Sequence, residues 1–154
     1  MAGKIYIFRG MPGSGKSTEA RRMSEATGGT LIIEPDALLT HGGEYLFEDC
    51  AYWKALRTAF KMCTLAYDMG ADVIFADVLP TIDDVERVLW RFPGYEYAIF
   101  DMPLLTVNES IARNTHRVRR CDLERMAATW QPWTGDISGR VKYDFEELEK
   151  GSVR

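Results

Sequence analysis

The sequence is short of the residues that build extracellular, metal-centred or membrane-spanning proteins, and each shortage removes a class. Cysteine occurs three times, at Cys50, Cys63 and Cys121, widely spaced and with no C-x-x-C pair. That argues against a disulfide framework or a structural zinc site, and fits buried thiols in a reducing, cytoplasmic compartment. No apolar run approaches the roughly 20 residues that span a bilayer, and the N-terminus has no long apolar stretch, so neither a membrane nor a secretory role is expected. Repeats, low-complexity tracts and Pro/Ser-rich linkers are missing, which leaves one domain over residues 1–154 as the expectation. Neither sign of charge dominates: 19 Lys and Arg against 23 Asp and Glu give a net charge of −4. The molecule as a whole therefore has no general attraction for nucleic acid.

What is present is a glycine-rich stretch, Gly10-Met11-Pro12-Gly13-Ser14-Gly15-Lys16-Ser17-Thr18, which fits G-x-x-x-x-G-K-[ST]. The apolar run Ile5-Tyr6-Ile7-Phe8 before it reads as a buried strand, and Glu19 to Ala26 behind it has helix-forming composition. Strand, loop and helix together make a phosphate site. Gly10, Gly13 and Gly15 permit backbone shapes and close approaches that a Cβ would block. In the loop Gly10–Thr18, which includes Pro12, the N–H groups of Gly13 to Thr18 at the loop and helix N-terminus are expected to face phosphate oxygens. Lys16 would bring its charge to the β- and γ-phosphates, and the Ser17 hydroxyl would ligate Mg²⁺.

Along the chain, Thr30-Leu31-Ile32-Ile33 predicts a second strand ending at Glu34-Pro35-Asp36. Asp36 lies where open α/β sheets place their ligands, although an N-cap role suits it equally. A long helix is expected from about Glu44 to Met69, with Trp53, Leu56, Phe60, Cys63 and Tyr67 forming one buried face. Val73 to Asp77 is a third strand, apolar until Asp77, where a carboxylate can hold Mg²⁺ through water or accept a hydrogen bond from a substrate hydroxyl. Thr81 is the expected N-cap of the next helix, Tyr95 to Phe100 the fourth strand, and Arg140 to Asp144 a fifth. Between the last two, helical patterns flank an arginine-rich stretch with Arg113, Arg117, Arg119, Arg120 and Arg125. That layout suggests a flap over the phosphates, a solvated charged face being the plainer alternative. Trp130 and Trp133 suit either base stacking or packing of the flap on the body. The alternation of strands and helices predicts a parallel α/β sheet with right-handed crossovers.

Taken in order, these features resemble the 5′-kinase domain of the phage polynucleotide kinase family and its small P-loop kinase relatives, over roughly residues 4–131. The likeness is carried by Gly10–Thr18, Asp36, the Gly42-Gly43-Glu44-Tyr45 turn, Asp77, Asp101-Met102-Pro103, and Arg113-Asn114 leading to Arg117. It implies a three-layer P-loop NTPase fold with a four- to five-stranded parallel sheet and a helical lid over roughly residues 104–131. It also implies ATP and Mg²⁺, and transfer of the γ-phosphoryl group to a hydroxyl. By the same resemblance Asp36 would be the general base, Arg117 the lid arginine with Arg113 as its competitor, and Asp77 would place the acceptor or the metal.

Three positions depart from that family. Leu39 stands where the related kinases carry an arginine for the acceptor-side phosphate, Val78-Leu79-Pro80 replaces a polar Thr-Asn pair, and Arg119 replaces a proline. A phosphatase domain of the kind fused in the phage repair enzyme has no counterpart in these 154 residues. The acceptor is therefore expected to be a hydroxyl of nucleic acid or a nucleotide-like compound, favoured by the arginines. A small metabolite, sugar or antibiotic is favoured instead by Leu39 and the net acidity. A non-kinase ATP-binding switch is the remaining class. The sequence lacks N-K-x-D, and Asp77-Val78-Leu79-Pro80 is not the D-x-x-G of a GTPase.

Overall fold

The computed structural model describes residues 3–41, 44–45, 49–113 and 118–142. β1 (Lys4–Arg9) runs into the glycine-rich loop and α1 (Lys16–Ala26), and β2 (Leu31–Ile33) is followed by a 3₁₀ turn over Pro35–Leu39. A small hairpin, β3 (Thr40–His41) and β4 (Glu44–Tyr45), precedes α2 (Asp49–Asp68). The chain continues through β5 (Val73–Asp77), α3 (Ile82–Leu89), β6 (Glu96–Asp101), α4 (Val107–Arg113), α5 (Arg120–Thr129) and β7 (Ser138–Arg140).

The main sheet has the order β2-β5-β1-β6-β7, parallel in its first four strands. β7 pairs antiparallel with β6, so the fifth strand lies earlier than expected and runs the opposite way. Side chains alternate across the sheet as the pleat requires. Ile5 and Ile7 of β1 join Val73 and Phe75 of β5 in a core covered by α2 and α3, with Ala59, Cys63, Val85 and Val88. Phe8, Ile74 and Ala76 face the other way, onto Ala20 of α1. This is the three-layer α/β P-loop NTPase fold. A third cluster joins Met11 of the glycine-rich loop to Leu105 and Leu123, with Val118, Met126 and Trp130 packed around it. The segment bearing α4 and α5 is thus seated on the loop through apolar contact. Among the described residues no helix is long and apolar enough to cross a membrane.

Two expectations for the long helix are corrected. It begins at Asp49 rather than near Glu44, because Glu44 and Tyr45 pair with His41 and Thr40 across a Gly-Gly turn signal. Its most buried residues are small, Ala55, Ala59, Cys63 and Ala66; of the expected face Cys63 is among them and Phe60 and Tyr67 pack partly buried against the core, whereas Trp53 is 59% exposed. Small side chains let α2 lie close on the sheet, with Phe60 and Tyr67 packed at the edge of the same core. Burial pushes the Cys63 thiol up to about 12, so it is inert packing. Cys121 is exposed.

This assignment predicts opposite outcomes for two neighbours on α2. Ala59→Leu overpacks the helix–sheet seam and should cost about 1–3 kcal/mol in a denaturant melt. Trp53→Ala should stay within about 0.5 kcal/mol. The reverse ranking would restore the aromatic stripe as core.

Candidate active site

The glycine-rich loop turns at the C-terminal end of the central strand. A Cβ at Gly10 would lie 2.8 Å from the Met102 Cβ, and Gly13 has φ 84° with Arg113 packed against it. Gly15, at φ 92°, is the N-cap of α1, and no side chain caps the helix there. The first-turn N–H groups consequently have no side-chain acceptor, and the macrodipole favours an anion before them. Ser14 Oγ is buried with no hydrogen-bond partner among the described residues. A cavity of about 480 Å³ opens here, lined by Gly13, Gly15, Lys16, Ser17 and Thr18, with Arg113 on its rim. The cradle and the orphaned hydroxyl fit a polyphosphate.

Three carboxylates gather at the adjacent strand ends. Ser17 Oγ donates a short hydrogen bond to Glu34 Oε1 at the end of β2. Because Ser17 is the donor, its lone pairs stay available for a cation. Glu34 lines the phosphate cavity and was not singled out in the sequence, although it is the first carboxylate after the strand. Among the described residues no cluster of three or more His, Cys, Asp or Glu could hold a metal unaided. A Mg²⁺ here would therefore need phosphate and water ligands beside Ser17, as hard, strongly hydrated cations usually have.

Asp36, on the 3₁₀ turn, lines the phosphate cavity and also a second cavity of about 460 Å³. Of these two cavities, Asp77 lines the second. It is 2% exposed and accepts a hydrogen bond from the Tyr52 hydroxyl at 3.3 Å. Burial, and then the charge of Asp36, push Asp77 up to about 7, against the opposing pull of the Val78 amide and Lys16. The Asp77 charge in turn raises the Tyr52 hydroxyl above its ordinary value, reinforced by burial. Tyr52 had no signal beyond its place on an aromatic helix. Trp53, Leu56, Phe60, Val78 and Met126 supply apolar walls to the second cavity, and Asp84, Arg87 and Arg125 bring charge to it.

The arginine-rich stretch is less basic than its composition suggests. Asp122, 2% exposed, accepts from Arg119 Nε at 2.9 Å and from Arg125 at 3.0 Å. Arg120 donates to Asn108 and pairs with Glu124. Arg113 reaches the phosphate cavity. Arg117 and His116 lie outside the described residues. Trp130 stacks on a guanidinium and Trp133 packs against the main core, so both serve packing.

The guanidinium under Trp130 belongs to Arg9, which sequence reasoning missed. Its signal was a charged residue ending an apolar strand. Arg9 is 0% exposed; its Nε and Nη2 donate to the Leu79 carbonyl at 3.0 and 2.7 Å, and Nη2 also donates to the Gln131 carbonyl at 2.8 Å. Nη1 lies 3.4 Å from Asp101, and the Trp130 ring centroid is 4.2 Å from the guanidinium carbon. Leu79 has φ 47°, a left-handed backbone that is unfavourable for a branched side chain. Its neighbour Pro80 accepts from the Gln131 amide at 2.7 Å. Arg9 therefore fixes the β5–α3 loop, one wall of the second cavity, to the end of α5.

Fold and cradle together define a P-loop nucleotide-binding protein. The AAA domain family (AAA_33) matches residues 5–133, and the chain belongs to this family. No curated protein matches the sequence. Among solved structures it is similar to a chain of the Pnkp1/Rnl/Hen1 RNA repair complex, with TM-score 0.74 and 18% identity over 96% of this chain. It spans about half of that chain, 51%. It is also similar to a gluconokinase from Sinorhizobium meliloti 1021 (TM-score 0.61, 19% identity, 98% of this chain and 89% of that one). Shikimate kinase from Acinetobacter baumannii in complex with shikimate gives TM-score 0.52 and 17% identity over 83% and 75% of the two chains. At these identities the likeness is one of fold.

Arg9→Met keeps the aliphatic stem and strips the donors from two carbonyls and Asp101. It should cost about 3–5 kcal/mol, the scale for breaking a buried charged network, read by denaturant unfolding. A loss below about 1 kcal/mol would show that the loop holds its shape without Arg9.

Proposed function

We propose that the protein is an ATP-dependent phosphotransferase that moves the γ-phosphoryl group to a hydroxyl held in the second cavity. The observation that carries this reading is the position of Asp36, the carboxylate shared by the phosphate cradle and that cavity. An acceptor hydroxyl beside Asp36 faces the cradle across a single side chain. Asp36 takes the hydroxyl proton, the acceptor oxygen bonds to the γ-phosphorus, and the bond from that phosphorus to the β-phosphate oxygen breaks to release ADP. Lys16 and the loop amides hold the charge that spreads over the phosphate oxygens, and Arg113 or Arg117 adds to it from the lid. Ser17, backed by Glu34, is the seat for Mg²⁺, which when bound neutralises β- and γ-phosphate charge. Asp77 and Tyr52, which both line the second cavity, orient the acceptor there.

The aromatic walls favour an acceptor with a flat, weakly polar body, such as a nucleoside unit, while Arg87 and Arg125 in the same cavity suit an acidic one. One observation favours a small acceptor instead. Leu39 is buried and brings no cation to the site where the family resemblance implied one. Transfer from γ-labelled ATP to 5′-hydroxyl oligonucleotides, nucleosides, gluconate and shikimate separates these readings.

Asp36→Asn should leave ATP affinity within about twofold and lower transfer by roughly a hundredfold or more, as loss of a general base does. Lys16→Ala should abolish turnover. If Asp36→Asn instead destroyed ATP binding, the carboxylate would belong to the cradle's architecture and not to the acceptor step.

A further inference from the structure

A groove of about 480 Å³ lies between α2 and the end of α3, lined by Arg57 and Lys61 of α2 and by Arg87 and Arg91 across from them. Among the described residues no aspartate or glutamate lines it. Among those residues Arg57, Lys61 and Arg91 also form no ion pair, whereas Arg87 pairs with Asp83 at 3.3 Å and Asp84 at 3.9 Å. The Nε atoms of Arg87 and Arg91 are buried with no hydrogen-bond partner there. Arg91 lies on the Phe60 ring, 3.7 Å from guanidinium carbon to centroid. Desolvating a guanidinium without giving it an acceptor is costly, so the groove suits an anion. It suits an apolar group as well, because Trp53, 59% exposed, stands in it beside Leu56 and Phe60.

The chain itself carries an occupant of that chemistry. The segment Tyr143-Asp144-Phe145-Glu146-Glu147-Leu148-Glu149, outside the described residues, sets four carboxylates among three apolar side chains. It has no lysine or arginine, so it accounts for the whole net charge of −4. The preceding residues deliver it to the groove. Val141 donates to the Tyr95 carbonyl at 2.7 Å and accepts from the Gly94 amide at 3.0 Å, and Arg140 donates to the Gly94 carbonyl at 2.7 Å. Val141 is buried in the main core with Phe92. Lys142 therefore leaves the body beside the turn that follows Arg91. From Trp53 to Thr64 the groove follows about 16 Å of α2. Residues 143–149, extended, reach up to about 23–25 Å, enough to run its length.

We propose that the groove is the docking seat of residues 143–149 of the same chain, its cations holding the four carboxylates and its aromatic wall taking Phe145 and Leu148. A tether this short works at an effective concentration of about 1 mM, so ion pairs too weak to hold a separate peptide suffice. Trp53, Leu56, Phe60 and Arg87 also line the second cavity. The docked segment consequently borders that cavity and competes with any ligand that extends out of it.

Zero-length coupling of the full chain with a water-soluble carbodiimide tests the contact, mass spectrometry of the digested protein locating each link. Lys4 and Glu96, 4.0 Å apart, are the internal standard. Lys61 should link to Glu146, Glu147 or Glu149 within the monomer, and the yield should fall about tenfold in 1 M salt, where the Debye length is about 3 Å. Coupling of Lys4 to Glu96 with none from Lys61 to the segment overturns the proposal. So does a link confined to a covalent dimer, which would make the occupant a second copy's segment. A fluorescein-labelled peptide of residues 143–150 gives an independent reading by anisotropy. It is titrated into the wild type and into the full chain carrying Asp144→Asn, Glu146→Gln, Glu147→Gln and Glu149→Gln. The variant should bind it about tenfold more tightly, as when a segment at about 1 mM competes against a dissociation constant of about 0.1 mM. Adding Arg57→Gln and Lys61→Gln to that variant should remove the binding. Equal affinity for wild type and variant would mean an open groove, no binding to the variant would mean no affinity, and binding that survives the last two substitutions would lie elsewhere. Each of these results overturns the docking. Neither method involves ATP or an acceptor, so the docking and the phosphotransferase reading stand or fall separately.

Discussion

A single buried guanidinium sets the shape of this molecule's working edge. Arg9 ends the central strand, level with Asp77 on one neighbour and Asp101 on the other. Removing such a charge from water is costly, and nearly everything around Arg9 answers that cost: two carbonyls, one carboxylate and the face of an indole. The geometry that satisfies the arginine holds Leu79 in a left-handed conformation and draws Gln131 under Pro80. Sheet, β5–α3 loop and the end of α5 are thereby joined at one point. These hydrogen bonds to backbone tie down one wall of the second cavity.

Against that rigid frame, charge is distributed unevenly and to some purpose. Among the described residues the phosphate side holds donors without side-chain acceptors, at the uncapped start of α1 and at Ser14, and Lys16 beside them. Glu34 and Asp36 share the phosphate cavity, and Asp77 is buried against Asp36 so that its charged form is disfavoured. Placing a desolvated acid beside a partly exposed one is a familiar way of dividing proton-handling from positioning. The lid arginines, by contrast, are mostly turned on Asp122 and on each other's helices, so they shape α5 more than they charge the surface.

The parallel sheet, the phosphate loop and the carboxylates after strands were legible because each follows from local pattern. An apolar run that ends at a glycine-rich turn or an acid has few other uses. The direction of β7 was not legible, since three residues with no apolar alternation take their orientation from the free edge of β6. The buried face of α2 was misread for a physical reason: alanine carries little weight in a periodicity argument, yet close helix–sheet packing selects for it. Glu34 was hidden by proximity to Asp36, and Arg9 because a charge at a strand end normally signals solvent. Only the partners of Arg9, spread from residue 79 to residue 131, reveal its burial. The same blindness to tertiary pairing made the lid look basic and the α2–α3 groove unremarkable.

Met11 deserves a last consequence. It occupies a position that the phosphate-loop pattern leaves open, yet it is fully buried against Leu105 and Leu123. The loop therefore cannot be exchanged as an independent cassette. A loop transplanted from a relative with a small residue at this position would leave a void beneath α4 and α5, and the helices would settle or loosen over it. Sequence drift in the lid core and at this one loop position is then expected to be correlated, with paired changes of volume tolerated where single ones are not.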